Sequence, residues 1–205
     1  MGASATGRPG RPAAASQEDA LARATRCFLR GERIDVRAIA AELGLARATM
    51  HRWFGTRDQL VGEMLAQLGE RRLRAIRGAT PGRGARALLA CFDSYNRELA
   101  TSESMRTWLA QEQERALRVL TSSGGIVQPR MVAAVERLIC AEAERGTFQP
   151  QVAAPTLAYA IVRLAEAFLY NDAMFGIRGD TDRLRELEAA LLGVPPKARA
   201  SSAGA

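Results

Sequence analysis

The chain contains few of the residues that cross-link proteins or catalyse reactions. Its 205 residues include 3 cysteines, at the widely separated positions Cys27, Cys91 and Cys140, and 1 histidine, His51. An odd number of separated cysteines indicates reduced, buried thiols rather than disulfides or a zinc site. Neither a phosphate-binding glycine loop nor a pair of carboxylates on one apolar helix face accompanies them. The sequence therefore predicts that the protein is not an enzyme and uses no metal or cofactor.

Long hydrophobic runs and strand patterns are also missing. No apolar run approaches the length that crosses a membrane, and the first residues, MGASATGRPGRP, lack the apolar core of a signal peptide. No segment alternates apolar and polar residues as a half-buried strand would. With 47% hydrophobic and 25% charged residues, the composition is that of an ordinary globular protein. We therefore expect an all-α protein in the cytoplasm.

Positive charge is in excess and is unevenly distributed. The formal net charge is +7, and all but one of the 29 basic residues are arginine, a bias that indicates a GC-rich coding genome more than a functional demand. Residues 1–60 hold ten arginines against six acids. The excess surrounds the N-terminal tail and the segment 36–54, which favours a polyanionic partner for this end of the chain.

The segment 36–54, VRAIAAELGLARATMHRWF, has the pattern of two short helices that cross closely. Ala40 leaves room for a second helix, and Gly44 supplies the left-handed residue that ends the first. The apolar positions recur at helical spacing and are Ile39, Leu43, Leu45, Met50 and Trp53. Two helices joined in this way form a helix-turn-helix, which presents its second helix to the major groove of DNA.

The pattern also divides the chain into parts. Capping boxes at Ser16 and Thr56 begin a first and a fourth helix, and the fourth turns polar near residue 70 as a connector would. We predict disordered tails at 1–15 and 194–205, a DNA-binding domain at 16–62 and a larger helical domain at 63–193. Nine helices are expected, the last five at about 83–100, 103–120, 129–144, 155–174 and 181–192.

One face of the predicted recognition helix, residues 47–53, is suited to contact DNA. With Met50 turned toward the core, helical geometry leaves the remaining polar and small residues outside. These candidate DNA contacts are Arg47, Ala48, Thr49, His51 and Arg52. Arginine in the first turn can donate two hydrogen bonds to guanine, threonine can contact a thymine methyl group or a phosphate, and His51 and Arg52 suit phosphates. For each of them singly, a solvated surface position is the alternative.

Four further arginines are candidate DNA contacts. Arg37, in the first turn of the helix before the turn, can reach a base or phosphate, and Arg57 lies at a helix N-terminus whose amides favour phosphate. Arg8 and Arg11 lie in GRPGRP, where proline keeps the chain extended and glycine permits close approach. These two can enter a minor groove, or the tail can be a flexible, solubilising extension.

Residues 16–62 resemble the N-terminal domain of the TetR/AcrR family of bacterial transcriptional regulators. The resemblance rests on a first helix that ends with Phe28, on the pairs Ile39-Ala40, Gly44-Leu45 and Thr49-Met50, on Phe54 followed by a basic residue, and on Leu60. It implies a dimer of two nine-helix chains, each with a DNA-binding domain and a C-terminal ligand-binding and dimerisation domain, here residues 63–193.

Two positions depart from the family pattern. Ala46 stands where the family usually has Ser or Thr, and the lost hydroxyl costs the recognition helix about 1 kcal/mol of capping and one phosphate contact. His51 stands where the family usually has Tyr. It keeps a ring and a polar edge, but it can titrate near neutral pH.

The C-terminal region resembles the family only in helix count and in the run at 146–168. The predicted helix 155–174 carries two stripes. One is apolar, with Ile161, Val162, Ala165, Phe168 and Leu169, and the other contains Tyr159, Arg163, Glu166 and Tyr170. Either stripe can meet a partner helix, so we expect a homodimer through the last two helices in a four-helix interface.

A ligand pocket is expected among the fifth to eighth helices, where large apolar side chains accompany a few polar groups. The candidate lining residues are Phe92, Tyr95, Asn96, Met105, Trp108, Gln111, Met131, Tyr159, Arg163 and Glu166. Ordinary core packing is the alternative for each, and Arg163 and Glu166 can instead form a surface ion pair. The segment 170–180, YNDAMFGIRGD, resembles regulators that respond to lactone or acyl signal molecules, which suggests a small lactone as effector.

These patterns together predict a repressor that binds palindromic double-stranded DNA as a homodimer and is released when a small lipophilic molecule binds. The alternatives are an activator of the same family and a non-specific architectural DNA-binding protein. Affinity for a palindrome against random DNA distinguishes the architectural protein, because a specific reader discriminates by about 10³ or more.

Overall fold

The computed structural model describes residues 15–171 and 180–195, and every regular element within these ranges is helical. Ten α-helices follow one another: α1 Gln17–Leu29, α2 Val36–Glu42, α3 Arg47–Phe54, α4 Arg57–Ala79, α5 Gly84–Thr101, α6 Glu103–Gln111, α7 Gln113–Thr121, α8 Val127–Glu144, α9 Ala154–Glu166 and α10 Thr181–Leu191. The predicted all-α fold is confirmed. None of these described helices combines the length and the apolar character needed to cross a membrane.

The first hydrophobic core joins the N-terminal helices to α6 and α7. Phe28 of α1, Ile39 of α2 and Met50 of α3 are almost fully buried in it. Trp108 of α6 packs edge-on against Phe28, with the ring centroids 6.2 Å apart. Because burial of such large apolar side chains is strongly favourable, α1 is held against α6. The helix-turn-helix therefore shares its core with the rest of the chain.

The second core lies among α5, α8, α9 and α10. Leu88, Ile139 and Leu157 are at most 1% exposed within it, one from each of the first three helices. Leu192 closes it directly after α10. Residues of all four helices line the smaller of the two cavities described below, so the second core forms part of the wall of the candidate ligand site.

Helix α4 contributes to both cores. Leu60 and Met64 belong to the first, and Leu73 and Ile76 belong to the second. The helix runs without a break through the predicted domain boundary at residue 62, which stays a prediction. Helix α4 is therefore the continuous element that connects the two cores.

The predicted helix at 103–120 is wrong, because the chain breaks it at Glu112. That residue has φ −135° and ψ 42°, outside the helical region, and separates α6 from α7. The local sequence QEQER consists of good helix formers, so no propensity signal marks the break. This break accounts for ten α-helices among the described residues instead of the nine expected.

Helix α9 also ends differently from the prediction. The α-helical part ends at Glu166 and continues as a π-helix over Ala167–Asn171. Its wider turn shifts the register of the residues that follow, so the two stripes predicted on this helix do not stay on separate faces. Ile161, Val162 and Leu169 are buried inside the chain, whereas Tyr159 is exposed.

Candidate DNA interface and ligand cavity

The turn between α2 and α3 is fixed by a cap and a glycine. The Asp35 carboxylate caps α2 by accepting a hydrogen bond from the Arg37 N–H at 2.8 Å. Gly44 has φ 64°, and beside it the Leu45 N–H donates to the Ala40 carbonyl at 2.8 Å. This is a Schellman motif, in which a side chain at the glycine would be strained. Gly44 therefore has the left-handed conformation at the end of α2 that the sequence predicted.

The recognition helix α3 is buried on one side and open on the other. Met50 and Phe54 point into the first core. Thr49 is half-buried, and the exposed candidate DNA contacts on α3 are Arg47, Ala48, His51 and Arg52. The face of α3 that helical spacing predicted to be outside is therefore exposed to solvent. Its contact with DNA stays a prediction.

Three arginine side chains near this face are exposed and have no hydrogen-bonded partner among the described residues. The guanidinium groups of Arg37, Arg47 and Arg52 are exposed and make neither an ion pair nor a hydrogen bond with any described residue. An unpaired guanidinium can donate to a base edge or a phosphate without first breaking an internal contact. Arg8 and Arg11 lie outside the described residues, so their minor-groove contact stays a prediction.

His51 is held by the end of its own helix. Its Nδ1 lies 2.6 Å from the carbonyl oxygen of Gly55. Because a carbonyl only accepts, Nδ1 carries the proton in this contact, and Nε2 is the nitrogen left for an outside partner. Nε2 of a neutral ring accepts and cannot donate to phosphate, so His51 serves as a phosphate donor only as the imidazolium ion.

Arg57 is placed differently from the expectation. Its Nη1 and Nη2 donate to both carboxylate oxygens of Glu112, at 2.6 and 2.5 Å, and its Nε donates to the Ile34 carbonyl at 2.7 Å. The Arg57 hydrogen bonds lower the pKa of Glu112 below its ordinary value. Because these contacts occupy the guanidinium, the structure gives Arg57 an internal role and does not support the expected phosphate contact.

Two adjoining cavities lie in the C-terminal region. The acidic cavity, of about 50 Å³, is bounded by residues of α5, α8, α9 and α10, among them Phe92, Asn96, Gln128, Glu166 and Glu188. The apolar cavity, of about 250 Å³, reaches α4 and the end of α1 at Leu65, Leu68 and Leu29. Both are bounded by Tyr95, Leu99, Leu120, Val127, Met131 and Tyr170, so they meet along this shared wall.

Glu188 of α10 is the most unusual polar group of the acidic cavity. It is 0% exposed, and its Oε1 accepts a hydrogen bond from Asn96 Nδ2 at 2.9 Å. Its Oε2 is buried and has no partner among the described residues. Burial raises the pKa of Glu188 to about 7, and the hydrogen bond from Asn96 only partly opposes this.

Glu166 is the second buried carboxyl group there. Its Oε2 accepts from Gln128 Nε2 at 3.2 Å and from Arg163 Nη1 at 2.8 Å. Burial raises the pKa of Glu166, against the effect of these two partners. Arg163 itself is exposed and also donates to the Thr121 carbonyl at 3.2 Å. Arg163 and Glu166 thus form an ion pair between the surface and the wall of the acidic cavity.

The predicted pocket residues divide into three groups. Phe92, Tyr95, Asn96, Met105, Met131 and Glu166 line one or both cavities. Trp108 is instead core, against Phe28. Gln111, Tyr159 and Arg163 are exposed and line neither cavity. Their assignment to the lining is corrected, because the break at Glu112 and the pitch of α9 direct these side chains outward.

Sequence reasoning missed Glu188, Gln128 and Tyr170 as lining residues. A signal for Glu188 was present, since it lies at helical spacing from the buried Leu184 and Leu192 and is therefore a charged residue on the apolar stripe of α10. Nothing comparable marked Tyr170, because the π-helix turns it toward the cavities. The segment 170–180, which suggested a lactone, lies outside the described residues except for its ends.

A helix-turn-helix with a free basic face, joined through α4 to a larger helical region, is the arrangement of a transcriptional regulator. Residues 83–193 match the family model described as "Tetracyclin repressor-like, C-terminal domain", which covers more than half of the chain. The chain belongs to the TetR family of transcriptional regulators, which are DNA-binding proteins and not enzymes.

The fold is shared with a solved structure of this family. The R. erythropolis transcriptional repressor QsdR, from the TetR family, is 24% identical over 89% of this chain and 97% of its own, with a TM-score of 0.82. GusR of Salmonella enterica is 16% identical over 86% and 95%, with a TM-score of 0.48. PfmR of Thermus thermophilus is 18% identical over 87% and 99%, with a TM-score of 0.40. No curated protein matches the chain.

Proposed function

We propose that this regulator is a cytoplasmic repressor that binds a palindromic operator as a homodimer and leaves it when a small lipophilic molecule binds. The observation that carries the DNA-binding half is the exposed face of α3 with the unpaired guanidinium of Arg47 in its first turn. In a two-fold dimer, two such helices enter successive major grooves about 34–36 Å apart.

Helices α9 and α10 are the proposed dimer interface. Tyr159 of α9 is 49% exposed and Leu187 of α10 is 40% exposed, although both are large apolar side chains. Ile161, Val162 and Leu169 are buried inside the chain, and Glu166 and Tyr170 line the cavities, so the exposed Tyr159 and Leu187 are the better candidates for meeting a partner. Two copies of each helix would form an isologous four-helix interface.

Release from DNA is proposed to begin in the two cavities. The apolar cavity touches α4 at Leu65 and Leu68 and α1 at Leu29, so a ligand there contacts the helices that carry the DNA-binding head. The combined volume suits a small molecule with an apolar body, for which a lactone is our candidate. Such a ligand releases the protein from DNA only on one condition. It must bind more tightly to the dimer in which the distance between the two recognition helices does not fit the operator.

A comparison of two arginines of α3 tests the DNA-binding half. We expect Arg47→Ala to cost about 1–3 kcal/mol on the operator and to relax preference at one base pair, because Arg47 reads a base edge. We expect the matched variant Arg52→Ala to weaken binding to all sequences, because Arg52 contacts phosphate. The slope of the logarithm of the binding constant against the logarithm of the salt concentration should fall in magnitude by about one.

The measurement is affinity against salt for a footprinted operator and for random DNA. Equal losses on both DNAs for both variants would contradict the division of roles. A wild-type protein that does not discriminate by about 10³ would favour the architectural function. Reporter expression from the footprinted promoter, with and without the gene of this protein, distinguishes a repressor from an activator.

A further inference from the structure

The Glu188 carboxyl group lacks the partners that buried carboxyl groups normally have. Only Asn96 Nδ2 donates to it, at Oε1, while Oε2 stays unpaired at the wall of the acidic cavity. A buried polar atom left without a hydrogen bond destabilises the folded protein, because it has lost its hydrogen bonds to water. By contrast, the neighbouring Glu166 has both Gln128 and Arg163 as donors. Of the two buried carboxyl groups on the acidic-cavity wall, only Glu188 has a buried oxygen without a hydrogen-bond partner among the described residues, and this oxygen marks a position that a ligand can satisfy.

No cation lines the acidic cavity. Its boundary contains no Arg, Lys or His side chain. The charged and titratable groups around Glu188 are Asp93 and Tyr95 on α5, Glu166 with its partner Arg163 on α9, Tyr170 on the π-helix, and Arg185 on α10 itself. Asp93 raises the pKa of Glu188 and Arg185 lowers it, both more weakly than burial raises it. A carboxylate in this place is thus not compensated by a counter-ion.

An uncompensated buried carboxyl group favours its neutral form. In that form Oε1, which accepts from Asn96, is the carbonyl oxygen and Oε2 carries the proton. The Oε2–H group then has no acceptor among the described residues. The group presented to the cavity is therefore a hydrogen-bond donor.

We propose that Glu188, positioned by Asn96, is the polar anchor of the effector site, and that the effector is an uncharged molecule whose carbonyl oxygen accepts a hydrogen bond from Glu188 Oε2. This assignment rests on the proposed function in that it names the ligand class of the same site. The assignment adds three things to the proposed function: Glu188 as the residue that recognises the ligand, Oε2 as the atom that donates the hydrogen bond, and the requirement that the ligand be uncharged.

The apolar part of the ligand lies in the apolar cavity. That cavity adjoins the acidic cavity at Tyr95 and Tyr170, and most of its remaining lining consists of Leu, Val and Met side chains. Arg72, Glu98 and Ser102 also line it, and Arg72 and Glu98 form an ion pair with each other. Gly69 of α4 lets Tyr95 and Met131 pack closely against the helix at the junction, since a Cβ there would lie 2.9 Å from the Tyr95 hydroxyl and 3.0 Å from Met131 Sδ. A ligand anchored at α10 with a chain extending toward α4 would touch the helix that carries the DNA-binding head.

The main rival is a lipophilic cation paired with an ionised Glu188. The two ligand classes have opposite pH dependence. An uncharged carbonyl ligand needs the protonated carboxyl group, so its affinity is constant below the pKa and falls about tenfold for each pH unit above it. An ammonium ligand needs the carboxylate, so its affinity rises over the same range. The raised pKa of Glu188, about 7, places this change within an accessible range.

The experiment measures the affinity of the full chain by calorimetry from pH 5.5 to 8.5, with γ-decalactone as the uncharged probe and decylammonium as the cation. We expect γ-decalactone to bind, and to bind more weakly as pH rises through about 7. Absence of γ-decalactone binding, constant affinity, or affinity that rises with pH each overturns the proposal. So does tighter binding of decylammonium. This titration uses the wild-type protein and does not depend on how any variant folds.

Glu188→Gln supplies the second test, because a glutamine can accept from Asn96 and donate to the ligand at every pH. We expect this variant to bind γ-decalactone within about threefold of wild type at pH 5.5 and to lose the pH dependence. The matched control is Glu186→Gln on the exposed side of the same helix, which should keep the wild-type pH profile. An unchanged pH profile in Glu188→Gln, or loss of binding at pH 5.5 in a folded variant, contradicts the proposal.

DNA release is measured separately, by anisotropy of a labelled operator. If γ-decalactone binds with the expected pH dependence but does not release DNA, the proposed induction fails and the anchor stands. If decylammonium alone releases DNA, the proposed induction stands and the anchor fails.

Discussion

At the scale of single residues, several internal hydrogen bonds converge on Glu142 of α8. It is 1% exposed and accepts from Arg77 Nη2 at 2.6 Å, the Gly84 N–H at 2.7 Å and the Thr147 hydroxyl at 2.7 Å. Burial opposes its charge, but these hydrogen bonds outweigh burial and lower its pKa to about 2. Because it joins the end of α4, the start of α5 and the loop after α8, Glu142 fixes three segments at once.

We expect Glu142→Gln to lower the free energy of unfolding by about 3 kcal/mol, because it leaves Arg77 without its buried counter-ion. The pKa is depressed in the folded state, so the wild-type contribution is complete above pH 4.5 and is lost as pH falls toward about 2. Urea unfolding at several pH values measures both effects. The exposed Glu144→Gln on the same helix is the control, and a loss as large in that variant would refute a specific role for Glu142.

Arg57 illustrates what residue-level reasoning could not predict. Its position at the start of α4 was read correctly, since the Thr56 capping box is present. The acceptor, however, is Glu112, 55 residues away at the break between α6 and α7. No local pattern links the two positions. A phosphate contact was therefore the reasonable prediction from sequence, and an internal ion pair is what packing produced.

At the scale of elements, the recognition helix α3 is the one helix among α1 to α4 that begins without a side-chain cap. Its N-cap residue, Ala46, has the extended backbone of a cap but makes no side-chain hydrogen bond to the helix. By contrast, α1 and α4 have complete capping boxes, and Asp35 caps α2. The missing cap was predicted from the sequence, because it depends only on which residue stands directly before the helix.

We expect Ala46→Ser to stabilise the protein by about 0.5–1 kcal/mol, because a hydroxyl at the N-cap accepts from a free N–H of the first turn. Thermal unfolding followed by circular dichroism measures the gain. Ala48→Ser is the control, since a serine inside the helix lowers its propensity and gives no cap. A gain of equal size from Ala48→Ser would show that capping is not the cause.

Helix boundaries were predictable where capping or glycine decides them and unpredictable where tertiary contacts do. The ends at Ser16, Gly44 and Thr56 follow from local hydrogen bonds. The break at Glu112 and the π-helix after Glu166 do not, because the residues around both are ordinary helix formers. These two irregularities decide which side chains line the cavities, and for that reason the pocket prediction was only partly right.

At the scale of the whole molecule, the Arg57–Glu112 pair connects the two functional regions. It joins the start of α4, next to the recognition helix, to the break between α6 and α7, and both side chains are less than one-fifth exposed. The Nε of Arg57 also holds the Ile34 carbonyl before α2. A ligand that moves α4 or α6 has to move this contact as well.

We expect Glu112→Gln to reduce the coupling between ligand and DNA by about 1 kcal/mol, roughly fivefold, because the head is then less firmly tied to the helices beside the cavity. The measurement is operator affinity with and without saturating ligand. The control is Glu42→Gln, which removes a comparable ion pair with Arg23 inside the head. A coupling factor that is unchanged in Glu112→Gln, or reduced equally in Glu42→Gln, would argue against this route.

The sequence by itself determined the properties that depend on residues close together in the chain. These are the all-helical fold, the helix-turn-helix at 36–54 with its glycine turn, the exposed face of α3 and the weak cap at Ala46, because helical periodicity and capping act over a few residues. Only the tertiary structure decided the partner of Arg57, the burial of Glu188 without a counter-ion and the division between cavity wall and surface. Those features depend on which distant helices pack together, and no local interaction specifies that packing.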